Sequence, residues 1–238
     1  MNSTRLDFEK RKSEIENYLS FIAILSDDEN TRLKYKKDDR IVEEKISDQL
    51  QKILIANGFL LLYNLIEATV RSSILEIYLE VKDNGITFGE LSENLKNIWI
   101  KQSMDSLKEG TFTQDTLNKQ VLDIAESVLN KETITLLKKN LDFSGNLDAK
   151  KIRELADRFG FDAPRDGRSL VTIKDKRNHL AHGDYTFSEI GRDYTVKDLD
   201  NFKTETFAFL SDAINKIEAF IVNKRYAVSK STGKEISL

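Results

Sequence analysis

The sequence has no cysteine, one proline and two histidines among 238 residues. Without cysteine there is neither a disulfide framework nor a thiolate metal site. A single proline and ten glycines leave few helix breakers, so long helices are the expected structure. Neither sign of charge dominates: 37 lysines and arginines against 40 aspartates and glutamates give a formal charge of -3. That balance excludes bulk electrostatic attraction to nucleic acid and leaves only a local basic patch to do such work. Glycine-rich phosphate loops and a serine-centred nucleophile turn are also absent. Lack of cysteine points to the cytoplasm, and the N-terminus MNSTRLDFEKRKSEIEN is too charged for a signal peptide. The stretch ILIANGFLLLYNLIEATV, residues 53–70, approaches the length of a membrane span. Asn57, Asn64 and Glu67 interrupt it and Lys52 and Arg71 bracket it, so it reads as a buried core helix, and no membrane partner is expected.

What remains is 39% hydrophobic and 32% charged, the balance of a globular protein, and one helical domain over 1–238 is expected. Leu6, Phe8, Ile15, Tyr18, Leu19, Ile22 and Leu25 fall at three- and four-residue spacing and predict an amphipathic N-terminal helix over 3–26. A second helix is expected over 39–82, bent at Asn57-Gly58, and a third begins at Thr87 and Glu90 in capping-box spacing. A fourth covers 114–130. Residues 131–146 are weakly patterned, with room for a short strand or a loop. Helix returns over 147–159, and the GFDAPRDGR segment makes a turn. The next helix runs from Ser169 to a stop at Gly183, and Thr195 and Asp198 open a last helix before a frayed tail at 227–238. The fold class is an all-α bundle.

Both histidines stand in one string, DKRNHLAHGDY, residues 175–185. On a helix turning about 100° per residue, Leu170, Ile173, Leu180 and Ala181 lie within about 60° of Arg177, which therefore projects from the middle of the apolar stripe. A guanidinium keeps its proton in a protein, so an inward position demands an anion or several acceptors. Asn178 and His182 share one flank on adjacent turns, and His179 faces the solvent side. A purely structural reading stands beside this: a surface arginine, a capping asparagine and a histidine at a helix C-terminus, where its charge is favoured. The inward arginine weighs against it.

Arg177-Asn178-His179-Leu180-Ala181-His182 resembles the signature of the HEPN superfamily: an arginine, a polar residue, three further residues and a histidine. The longer string KRNHLAHGDYTFSEIGRDYTVKDL, with LLYNLIEATVR upstream, is similar to the MAE-type branch of prokaryotic HEPN proteins, over a core of about 40–225. The resemblance implies a helical bundle forming a two-fold dimer in which the motif helices meet, and a composite site that cleaves RNA without metal or other cofactor. It implies Arg177 and His182 as catalytic residues and Asn178 as the group that orients them. A toxin or antiviral defence effector, with a cognate antitoxin or defence-system partner, follows from the same resemblance. In members silenced by a nucleotidyltransferase partner, a tyrosine stands two positions after the histidine; here Tyr185 stands three after it.

The residue types suit that chemistry. Histidine titrates near neutrality and can carry protons to and from the 2′-hydroxyl and the leaving oxygen, while arginine's planar fork matches phosphate oxygens. Asn64, Glu67 and Arg71 form a polar strip on the central helix: either a structural network, or groups bordering the site and positioning Arg177 or His182. Basic side chains outnumber acidic ones over residues 150–177, and Arg165, Arg168, Lys174 and Lys176 are candidates for contacting RNA. A solvated mixed-charge helix pair accounts for that excess equally well. Two other functions compete: a non-catalytic HEPN-like module binding RNA, nucleotide or a partner protein, and a metal site on His179 and His182, against which the absence of cysteine and the ordinary acidic neighbours Asp175 and Asp184 weigh.

Overall fold

A computed structural model describes residues 1–26, 31–105, 113–138, 141 and 146–228. The described residues form eight α-helices and one two-stranded hairpin. The chain gathers into two compact units. The first holds Met1–Ser73, Phe143–Arg153 and Pro164–Asn215; the second holds Ile74–Asp142, Glu154–Ala163 and Lys216–Leu238.

In the first unit, α1 (Asn2–Ser26) buries Phe8, Ile15, Leu19, Ile22 and Leu25 along the predicted face, though Leu6 remains exposed. Its Tyr18 hydroxyl donates to the Leu54 carbonyl at 2.6 Å. Residues 40–45 are not helical, contrary to the sequence expectation. They form β2 (Arg40–Lys45), paired antiparallel with β1 (Arg32–Lys37). The two-residue turn at Asp38 and Asp39 explains why: both sit at positive φ, 47° and 60°, the backbone of a tight hairpin turn that aspartate tolerates better than most residues.

Helix α2 (Asp48–Asp83) is 36 residues long and continues through Asn57-Gly58. Asn57 donates its side-chain amide to the Ile53 carbonyl at 2.9 Å. Gly58 serves packing rather than bending, because a β-carbon there would come within 2.7 Å of Leu199. Among the described residues α2 is the one helix long and apolar enough to cross a membrane, and half of its most apolar window is buried inside the protein. Phe59, Leu62, Tyr63 and Ile66 are fully inaccessible, each apolar side chain stabilising the fold by about 1.5–3 kcal/mol.

The motif helix, α6 (Ser169–His182), turns Leu170, Ile173 and Leu180 into the core, as the wheel predicts, whereas Ala181, expected on the same stripe, is exposed. A further helix, α7 (Phe187–Gly191), occupies what reads in the sequence as a loop; Thr186 caps it, and Glu189 returns to the Thr186 amide at 2.8 Å. Thr195 and Asp198 likewise open α8 (Val196–Val222), with the Thr195 amide donating to Asp198 at 2.8 Å.

The second unit contains α3 (Glu93–Asp105) and α4 (Gln114–Leu129). The Thr87–Glu90 box caps a short 3-10 turn ahead of α3 rather than α3 itself. Gln102 bridges this unit's core, accepting from the Leu137 amide at 2.8 Å and donating to the Tyr78 hydroxyl at 3.1 Å. Within the weakly patterned 131–146 segment, Thr133 makes a single bridge to Thr87; residues 139–140 and 142–145 lie outside the described part. Most of the expected frayed tail, from 229 on, also lies outside it, while the Val228 amide donates to the Glu90 carbonyl at 2.8 Å. Helices α2, α5 (Ala149–Phe159) and α8 each pass from one unit's residues into the other's.

Candidate active site

All the sequence-predicted site residues belong to the first unit, on α2, α6 and the segments flanking α6. Arg177 is inward, with 25% of its side chain exposed. Its guanidinium carbon lies 4.4 Å from the centroid of the Tyr63 ring, within cation–π range. Nη1 donates to the Asn178 side-chain oxygen at 3.0 Å, and Nη2 stands 3.9 Å from the Glu67 carboxylate. Glu67 is in turn bonded to Arg71 at 3.1 Å. The structure therefore brings Arg177, Asn178 and Glu67 together. Asn64, from the same polar strip, is exposed, and its side chain bonds to none of the described residues.

The two histidines differ sharply. His179 Nδ1 lies 3.1 Å from the Asp184 carboxylate, within hydrogen-bond distance. Its ring meets Tyr185 edge-on at 5.0 Å. Gly183, at φ 74°, turns the chain out of the helix so that the Asp184 amide returns to the His179 carbonyl at 3.0 Å. His179 thus belongs to the helix terminus. His182 is exposed, and its side chain bonds to none of the described residues, so both ring nitrogens are open. Among the described residues no three His, Asp or Glu side chains form a metal-sized cluster.

In the sequence Tyr63 reads as core, a tyrosine within an apolar run. It is indeed fully buried. The available signal is its spacing, one turn before Glu67 and two before Arg71 on one face of α2. Its hydroxyl accepts from the Leu147 amide at 3.1 Å. Burial pushes the phenol pKa up, against the opposing pull of that amide.

The basic candidates divide as well. Lys174 is committed to Asp148 at 2.8 Å, with both side chains mostly sheltered. Lys176 sits 5.5 Å above the Tyr194 ring. Arg165 and Arg168 are exposed beside an open depression lined also by Asp166, Glu205, Phe209 and Asp212.

No curated protein and no solved structure gives a significant match to the chain. A profile of the MAE_28990-like HEPN family matches residues 3–226, taking in α1, the Tyr63–Glu67 segment of α2 and the whole motif helix. With nearly its full length matched and the Arg177-to-His182 motif on a helix that turns the arginine inward and the histidine outward, the chain belongs to the MAE_28990-like HEPN family.

Proposed function

We propose that the protein is an endoribonuclease of the HEPN type, cutting RNA without metal through attack of the 2′-hydroxyl on the adjacent phosphate. The observation that carries this reading is the division between the two histidines: the motif's His182 is open while its neighbour His179 is spent on Asp184. Arg177 neutralises the phosphate as negative charge develops. His182 carries a proton to or from the reacting oxygens, a role that typically contributes 10²- to 10⁴-fold. Asn178, bonded to Arg177, orients it.

A composite site would supply two copies of each group. Val171, Asp175, Asn178 and His182 recur every three or four residues along α6, and three of the four are exposed. A second motif helix can pack along such a stripe. Arg165, Arg168 and Lys176 supply the RNA landing surface. Lys174, already paired, is left out of it. In the cell the protein acts as a toxin or antiviral effector in the cytoplasm, restrained by a cognate partner, and Tyr185, half-exposed beside His179, is the residue such a partner would modify.

The test is an RNA digest in excess chelator. Cleavage by the unaltered protein, lost in Arg177→Ala and in His182→Ala and kept in His179→Ala, is the expected pattern. RNA binding with no cleavage would mark a non-catalytic module instead.

A further inference from the structure

Besides Asn178, Arg177 has two neighbours on α2. The Tyr63 face lies under its guanidinium, and the Glu67 carboxylate stands at 3.9 Å, just within ion-pair reach and already bonded to Arg71 at 3.1 Å. A bare carboxylate would draw the guanidinium into a close bidentate pair, and an arginine so paired has no free edge for a phosphate. The Tyr63 ring offers the guanidinium a competing contact at 4.4 Å. It is fully inaccessible, and its position is set at two ends: by α2 and by the Leu147 amide bonded to its hydroxyl. The next residue, Asp148, holds Lys174 on α6, three residues before Arg177. One two-residue segment therefore registers both the platform and the helix that carries the arginine.

We infer that Tyr63 is a positioning residue of the proposed site: its ring holds the Arg177 guanidinium off Glu67 and presents the remaining edge to the RNA phosphate. The inference rests on the nuclease reading. It extends that reading to a residue outside the motif that acts only through Arg177. A sheltered cation–π contact corresponds to about a tenfold effect or somewhat more. Loss of the ring face should lower kcat by that amount, with KM changing less, because the arginine is needed most as charge builds on the phosphate.

The test compares RNA cleavage by the full chain carrying Tyr63→Phe, Tyr63→Leu and Tyr63→Leu/Glu67→Gln, with circular dichroism checking each fold. Phenylalanine keeps the face but loses the Leu147 hydrogen bond, so it should lose clearly less activity than leucine. Leucine should lose about tenfold. Removing the Glu67 charge in the leucine background should restore part of the loss, which a merely structural role for Tyr63 would not allow. Because leucine at a buried tyrosine position can unfold the chain, a second series replaces Tyr63 with phenylalanine and then with increasingly fluorinated phenylalanines of nearly the same shape. A stepwise fall in kcat with fluorine content supports the assignment. Equal rates across that series, or no recovery with Glu67→Gln in a folded leucine variant, overturn it while leaving the nuclease reading intact. If the unaltered protein cuts no RNA, the nuclease reading itself fails and this assignment falls with it.

Discussion

Removing the Asp148 carboxylate perturbs the support of the motif helix without touching the motif. One Asp148 oxygen caps α5, accepting from the Lys151 amide at 2.9 Å, and the other holds Lys174 at 2.8 Å. Loss of a helix cap costs about 1 kcal/mol. The ion pair lies between two limits: about 0.2–1 kcal/mol for an exposed pair and about 3–5 kcal/mol for a fully buried pair broken from one side. With 17% and 19% of the two side chains exposed, about 1–2 kcal/mol is the reasonable share. Asp148→Ala should therefore lose about 2–3 kcal/mol, and Asp148→Asn, which still caps, about 1–2 kcal/mol. Burial raises the Asp148 pKa, but the Lys174 and Lys151 hydrogen bonds and the Lys174 charge outweigh it and hold the group below its ordinary value. The Asp148 hydrogen bond, against some desolvation, lifts the Lys174 pKa above its ordinary value.

The signs follow from linkage. The carboxylate's contribution is full above its unfolded pKa near 4 and is lost as pH falls through the lower folded value. The ammonium's is full below about 10.4 and is lost as pH rises through the higher folded value. The gap between the unaltered protein and Asp148→Asn should thus be widest between about pH 5 and 10 and narrow as pH falls below about 4 through the lower folded value. Urea denaturation followed by circular dichroism reads both effects as a midpoint shift at constant slope. An Asp148→Ala midpoint matching the unaltered protein at pH 7, or a gap that persists at low pH, refutes the reasoning.

Other expectations follow the same geometry. Gly167→Ala should destabilise by about 2–4 kcal/mol, combining strain at positive φ with a clash, because φ is 84° and a β-carbon would meet Phe209 at 2.5 Å. Gly183→Ala, at φ 74° in open space, should cost only about 1 kcal/mol, and thermal melts of the two variants separate these cases. Val171→Arg, which puts a charge into the exposed stripe of α6, should convert a dimer to monomer in sedimentation and lower cleavage with it; unchanged sedimentation removes that stripe from the interface. Arg165→Ala and Arg168→Ala should weaken RNA binding and flatten its dependence on salt by roughly one unit of slope each, and equal slopes would remove them from the landing surface.

Much of the motif region is legible in the sequence. The apolar period of α6 places Arg177 inward, and Gly183 marks the helix end because few other residues take its backbone without strain. The hairpin escapes a sequence reading because its turn is Asp-Asp rather than the stronger Asn-Gly signal. Helix α7 escapes it too, although Thr186 and Glu189 repeat the box that opens α8. The fate of Lys174 and of Tyr63 could not be read from spacing. Lys174 counts as a surface cation until Asp148, 26 residues away, is folded against it. Tyr63 counts as core, which it is, and only the packing of α6 on α2 sets Arg177 over its ring. Helical periodicity fixes which face a residue takes, whereas its partner on that face depends on distant segments.

The most direct measurement uses an RNA oligonucleotide with a single mapped cleavage position and a copy carrying one 2′-deoxy sugar there. The all-ribose strand should yield a 2′,3′-cyclic phosphate end in the presence of chelator, and the substituted strand should survive. Cleavage of the substituted strand at the same position, or 3′-hydroxyl and 5′-phosphate ends, would contradict attack by the 2′-hydroxyl.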